Sequence, residues 1–240
     1  KPEIEVKTDA IDKDTEMDEG LANERVTIVD RVSYKHLIVG KNYTVKGVLM
    51  DKATGKPFLT REGDEVHAEK TFKAEKSDGT INLEFYIKRG DLAGKTVVVF
   101  EKLYHDEKEV AVHTDIEDEA QTVTYPKVGT KASETTGSTD KEVIIKDIVS
   151  YENLVPGKEY TVTGTLMDKA TGKAFKAGDK EVTGKATFIA SESGSGTVEV
   201  AFQFDRSYLT EETVLVVFEK LFNVEGKLVG LHEDLEDEDQ

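Results

Sequence analysis

Cysteine is absent from all 240 residues, so neither a disulfide nor a thiolate metal site can be built. Tryptophan is absent as well, which leaves no indole to stack against a sugar ring. No run approaches the roughly 20 apolar residues that a membrane-spanning helix needs, so no membrane insertion is expected. Positive charge is scarce: 32 Lys and Arg stand against 49 Asp and Glu, for a formal net charge of −17. That balance excludes nucleic acid as a partner, because phosphates are neutralised by Lys and Arg. It fits a self-repelling surface that resists aggregation and keeps the chain monomeric. No segment shows a sustained 3.6-residue apolar period with caps, so helices are not expected. The chain opens Lys1-Pro2-Glu3 without a signal peptide, and we expect an internal piece of a longer polypeptide.

What the chain does contain is itself, twice. Ser33 through Phe58 reads SYKHLIVGKNYTVKGVLMDKATGKPF, and Ser150 through Phe175 reads SYENLVPGKEYTVTGTLMDKATGKAF. These 26-residue windows agree at 18 positions with an offset of 117, too close a match for chance. Val97–Tyr104 (VVVFEKLY) returns as Leu215–Phe222 (LVVFEKLF). His113–Gln121 (HTDIEDEAQ) returns as His232–Gln240 (HEDLEDEDQ), by which point the offset has drifted only to 119. Two domains follow, 1–122 and 123–240, joined near Thr122–Lys127, where Pro126 stiffens a short linker.

Within each copy the apolar period is two. Tyr43, Val45, Gly47 and Leu49 alternate with polar neighbours, as do Tyr160, Val162, Gly164 and Leu166, which is the pattern of a half-buried strand. Asp51–Lys56 and Asp168–Lys173 carry hairpin-loop chemistry. Thr80–Ile87 and Thr197–Phe204 add alternating strands, and Thr96–Glu101 and Val214–Glu219 read as buried ones. A hydrophobic fraction of 37% suffices for two modest cores. The expected fold is all-β: two tandem immunoglobulin-like (CnaB-like) sandwiches.

The repeated His-x-Asp-x-x-Asp-x-x-Gln run admits several readings. It could be a solvated acidic edge that discourages strand pairing. It could hold calcium, since clustered carboxylates suit a hard cation, but the loop spacing and Gly turn of a calcium hand are missing. The third reading comes from resemblance. The Val-Phe-Glu-Lys-Leu strand, followed by the His–Gln run, resembles the Gram-positive adhesin-shaft domains with intramolecular Thr–Gln ester bonds, the VaFE-type repeats. The likeness spans both copies nearly end to end.

That resemblance implies that a first-strand threonine attacks a glutamine carboxamide on the last strand, releasing ammonia and leaving an ester. Carried over, the acceptors are Gln121 and Gln240. Alignment of Glu5–Ala10 with Lys127–Ala132 makes Thr8 and Thr130 the nucleophiles, with Thr15, Thr135 and Thr136 as fallbacks. A threonine hydroxyl needs a positioned base. His113 and His232 can take its proton and return it to the leaving amine. A crowded carboxyl pair with one member protonated can polarise the amide. Asp30 and Asp147, at matching positions before Val-Ser-Tyr, are the first choice, with Glu101 and Glu219 as partners and Glu84 and Glu199 in reserve. The alternative for the glutamates is an ordinary surface carboxylate at a strand end.

Such a reaction happens once per domain, so no enzyme turnover, cofactor or metal is expected. A Lys–Asn or Lys–Asp isopeptide bond is the competing cross-link. The first copy has no Asn after Asn82 and the second only Asn223 in its final third, which weakens the Lys–Asn version and leaves Lys–Asp open. His36, His67 and His105 do not recur and are read as surface residues. DKATGK lacks the GxxxxGK[ST] spacing of a phosphate loop. Acidic pairs such as Glu117-Asp118 could suggest a glycosidase, although two complete constellations in two small domains are odd for one. The resemblance further implies a stalk segment on the bacterial cell wall, partnered by neighbouring repeats, with any host-surface ligand gripped by another region. The rival roles are a ligand-binding module without a cross-link, or a calcium-binding domain pair.

Overall fold

The computed structural model describes residues 1–131 and 139–237. They form two all-β units, Lys1–Tyr125 and Pro126–Gln240, each built of sandwich-like sheets of the immunoglobulin type. The first unit contains β1 (Glu5–Asp12), β2 (Val26–Lys35), β3 (Asn42–Asp51), β4 (Lys56–Pro57), β5 (His67–Lys73), β6 (Gly79–Ile87), β7 (Thr96–His105), β8 (Lys108–His113) and β9 (Thr122–Thr124). One sheet has the order β1-β2-β6. The other runs β4-β3-β7-β8, with β5 also pairing β3 and β9 also pairing β7.

The second unit repeats the plan with β10 (Lys127–Lys131), β11 (Glu142–Glu152), β12 (Glu159–Asp168), β13 (Lys173–Ala174), β14 (Lys176–Ala177), β15 (Lys180–Glu181), β16 (Thr183–Ile189), β17 (Gly196–Asp205), β18 (Leu215–Asn223) and β19 (Leu228–His232). Its sheets are β10-β11-β17 and β13-β12-β18-β19, with β16 on β12 and a small β14-β15 hairpin. Among the described residues the only helical turns are two 3-10 turns, Glu119–Gln121 and Arg206–Tyr208.

The domain division lies after Tyr125, three residues beyond the boundary expected from sequence. Thr122–Thr124 pair with Thr96–Val98, and Val123 and Tyr125 are wholly buried in the first core. The Tyr125 hydroxyl donates to Asp12 Oδ2 at 2.9 Å, anchoring this segment to the end of β1.

Alternation sets each core. Inward residues such as Ile28, Val32, Leu49, Phe85, Val99 and Leu103 fill the first sandwich, and Val149, Val162, Leu166, Phe202, Val217 and Leu221 fill the second. Gly47, in the middle of β3 and facing inward, is required by close approach: a Cβ there would meet Phe85 Cζ at 2.6 Å and Leu83 Cδ2 at 2.7 Å. Gly164 meets Phe202 in the same way. Gly47→Ala is therefore expected to destabilise the first unit by about 1–3 kcal/mol through overpacking, read as a lowered melting transition of that unit alone.

Candidate functional site

The β8–β9 edge is one strand position broken in the middle. β8 pairs the second half of β7, from Glu101 opposite His113, and β9 pairs the first half, from Val98 opposite Thr122. Between them the chain leaves the sheet through residues 114–121. Asp115 Oδ1 accepts from the Glu117 amide at 3.0 Å, a local turn of the kind short acidic side chains make. Asp118 then caps the 3-10 turn, its Oδ1 accepting from the Ala120 amide at 2.9 Å. The turn ends on Gln121, completely buried, and packs against β1 and β7. The acidic spacing of the motif is thus explained by two successive side-chain-capped turns.

β1 brings Thr8 to the same region. Its inward positions are Thr8, Ala10 and Asp12, and Ala10 lies opposite Asp30 of β2. Thr8 and Asp30 therefore share the inner face one diagonal apart. From the other sheet, Glu101 faces inward from the middle of β7, between Gly47 and His113 on its flanking strands. Residues directly opposite across a pair put their side chains on one face. Gly47 contributes no side chain on its side of Glu101, and His113 sits on the other.

Burial without partners marks these residues out. Buried side-chain oxygens and nitrogens are nearly always hydrogen-bonded, and each orphan costs about 1–3 kcal/mol. Among the described residues, the buried side-chain polar atoms lacking a hydrogen bond belong to Thr8, Asp30, Glu101, Gln121, Thr130, Asp147 and Glu219, with Asp91 Oδ2 as the one outlier. Both carboxylate oxygens of Asp30, Glu101, Asp147 and Glu219, and both carboxamide atoms of Gln121, are orphaned. A concentration of unmet polar groups in one place per unit is not what stability selects.

The electrostatics agree. Burial, with the Asp9 carboxylate adding to it, pushes Asp30 up to about 8. Burial pushes Asp147 up to about 7. Asp30 is thus neutral at pH 7 and can donate a hydrogen bond, as a carboxyl polarising an amide oxygen must. The histidines are half-buried and each is held by an aspartate of its own motif. His113 Nε2 lies 2.6 Å from Asp118 Oδ2, and His232 Nε2 lies 2.7 Å from Asp237 Oδ2.

The second unit repeats the arrangement as far as it is described. Thr130 is half-buried with its hydroxyl oxygen shielded and unpartnered. Asp147 and Glu219 are wholly buried, and Glu219 lies opposite both Gly164 and His232. Gln240, Thr135 and Thr136 lie outside the described residues.

The remaining candidates are not brought to the site. Thr15 is buried, but its hydroxyl already donates to the Glu19 carbonyl at 2.6 Å. Glu84 and Glu199 lie outside the cores, paired with Lys13 at 3.1 Å and Lys146 at 3.2 Å. His67 is exposed, whereas His36 is half-buried and His105 packs on the Tyr43 ring at 5.1 Å. Sequence reasoning gave Asp118 and Asp237 no role, although the signal was present as a His-x-x-x-x-Asp spacing shared by both copies.

A family model described as "T-Q ester bond containing domain" matches the chain twice, at residues 4–125 and 126–240. No curated protein matches it. Among solved structures, a bacterial adhesin from Mobiluncus mulieris, containing intramolecular disulfide, isopeptide and ester bond cross-links, is similar at 16% identity, with a TM-score of 0.42 over 94% of this chain and 82% of that one. A glycosyl hydrolase family 2 member from Bacteroides cellulosilyticus is similar at 9% identity, with a TM-score of 0.36 over 86% of this chain and 26% of that one.

Proposed function

Because the chain belongs to the family of T-Q ester bond containing domains, as two tandem members, we propose that each unit closes an ester between its first-strand threonine and the glutamine ending its His–Gln run. In the first unit that glutamine sits on the 3-10 turn before β9 and not on a strand. In the first unit His113 takes the proton of Thr8 Oγ1, and the oxygen attacks the Gln121 side-chain carbonyl carbon. The Asp30–Glu101 carboxyl pair steadies the developing oxyanion. The histidine returns the proton to the amide nitrogen, and ammonia leaves. Thr130, Gln240, His232, Asp147 and Glu219 do the same in the second unit. Each set reacts once, so the chemistry is self-modification without turnover.

The observation that carries this reading is the set of buried, unpartnered polar atoms on Thr8, Asp30, Glu101 and Gln121, whose alternative as a purely structural cluster would be costly. The biological role follows from where the bond acts. A link between β1 and the segment just before β9 takes tension before the hydrogen-bond ladders do. We read the chain as a stalk segment of a bacterial cell-surface adhesin, working alongside further repeats of its own polypeptide. Duplication of an acidic, cysteine-free unit, with no loop distinguishing one copy as a binder, supports length over recognition.

Intact mass under denaturing conditions is the test. Two bonds expel two ammonias, so the chain is expected about 34 Da below its sequence mass, by displacement of two amide nitrogens. A chain at full sequence mass after prolonged folding would sink the proposal.

A further inference from the structure

Two aspartates remain that the reaction scheme does not use. We propose that Asp118 and Asp237 are positioning residues for the two reactions, fixing which nitrogen of His113 and His232 is the base, and that Asp118 also holds the acceptor turn of the first unit with the same carboxylate. This inference rests on the cross-link reading.

A carboxylate only accepts hydrogen bonds, so the nitrogen facing it carries the hydrogen. In both units that nitrogen is Nε2, at 2.6 Å from Asp118 Oδ2 and 2.7 Å from Asp237 Oδ2. The neutral ring then keeps its lone pair on Nδ1, which becomes the atom that accepts the threonine proton. As the proton arrives the ring becomes an imidazolium, and the adjacent carboxylate stabilises it while remaining a carboxylate itself. The proton then passes from Nδ1 to the departing amide nitrogen, and the aspartate ends as it began.

The second oxygen of Asp118 does a different job. Oδ1 accepts from the Ala120 amide, while the Asp118 carbonyl accepts from the Gln121 amide at 3.1 Å and from Thr122 Oγ1 at 2.8 Å. One residue therefore couples the base to the three-residue turn that presents the acceptor. The aspartate follows its histidine by five residues in both units, and the contact closes in both. A solvated acidic residue placed only for solubility has no reason to repeat that contact.

Asp118→Asn separates the two jobs. Asparagine also caps turns well. With its single oxygen on the Ala120 amide, its NH2 group faces Nε2 and forces the hydrogen onto Nδ1, the wrong tautomer. In the full chain, the first ammonia is then expected to leave about 10²–10⁴-fold more slowly, the range seen when a histidine's orienting partner is lost. The second unit, unchanged, reacts at its normal rate within the same molecule. A time course of intact mass thus shows one prompt step of about 17 Da and one delayed step.

Tautomer is read independently by nitrogen NMR of the ring. A Thr8→Ala chain is expected to hold His113 as the Nε2–H form, and adding Asp118→Asn is expected to invert it. Melting of these two unreacted chains at the same temperature shows that the asparagine preserves the fold. Two prompt mass steps in Asp118→Asn, or an Nδ1–H ring in the Thr8→Ala chain, overturns the positioning role while leaving the ester intact. Full sequence mass in the wild type overturns the cross-link reading and this inference with it.

Discussion

A chain carrying Thr8→Ala and Thr130→Ala is expected to weigh its full sequence mass and to melt far below the parent. The closed loops span 113 residues from Thr8 to Gln121 and 110 from Thr130 to Gln240. In the chain-entropy account, tying off a loop of that size constrains the unfolded state by about 4–5 kcal/mol per unit. For units of this size each kcal/mol moves the transition by about 4 °C, so a fall of about 15–20 °C is expected. Removing the hydroxyls themselves costs nothing comparable, because neither makes a hydrogen bond in the fold. Thr8→Ala alone should lower one of two calorimetric transitions and restore half of the missing mass. Thr15→Ala is the matched control: it breaks the bond to the Glu19 carbonyl, costs about 1 kcal/mol, and leaves the mass deficit in place. Equal melting of parent and double variant would mean that the bonds do not constrain the unfolded chain.

The second large effect is a dependence on pH that runs opposite to ordinary acid denaturation. It is best read in the double threonine variant, where no cross-link masks it. Asp30 titrates near 4 when unfolded but is pushed up to about 8 in the fold, so the folded state binds more protons between those values. Stability from this group is therefore complete below about pH 4, falls as pH rises towards 8, and is flat above. At about 1.4 kcal/mol per pH unit, the difference by pH 7 is on the order of 4 kcal/mol. Asp147 acts in the same direction, its window closing near pH 7.

Asp30→Asn in that background should flatten the first unit's profile and raise its melting temperature at pH 7–8. In the reactive chain the same change should abolish the first ester. Stability gained and chemistry lost from one substitution is the signature of a carboxyl kept for reaction. An unchanged pH profile in Asp30→Asn would refute the neutral-carboxyl role.

How much of this could be read beforehand varied with the element. Tyr43–Leu49 and Tyr160–Leu166 announced their strands because their inward positions are apolar or glycine. β1 did not, because Thr8 and Asp12 occupy two of its inward positions and break the alternation. Glu101 reads on paper as a charge at the end of an apolar run, yet β7 continues to His105 and leaves it mid-strand and buried. Tyr125, next to Pro126, reads as linker. Only its packing, and its bond to Asp12 across 113 positions, assigns it to the first core. The choice between Thr8 and Thr15 turns on whether a hydroxyl is already engaged, which no local pattern reveals. Asp118 and Asp237 were legible as spacing but not as partners, because the contact depends on the chain doubling back through two turns.

The excursion between β8 and β9 also governs timing. Its glutamine is almost the last part of the first unit to be made, and Thr8 almost the first. Until residues 114–121 have emerged and settled against β1, the chain is an open thread that can pass through a narrow export channel. Once the bond closes, the same chain becomes a loop whose ends are fastened, and an unfolding motor pulling on either end would have to drag two strands through its pore together. On the proposed reading of a cross-linked cell-surface segment, export would therefore have to precede closure, and closure would make the journey one-way.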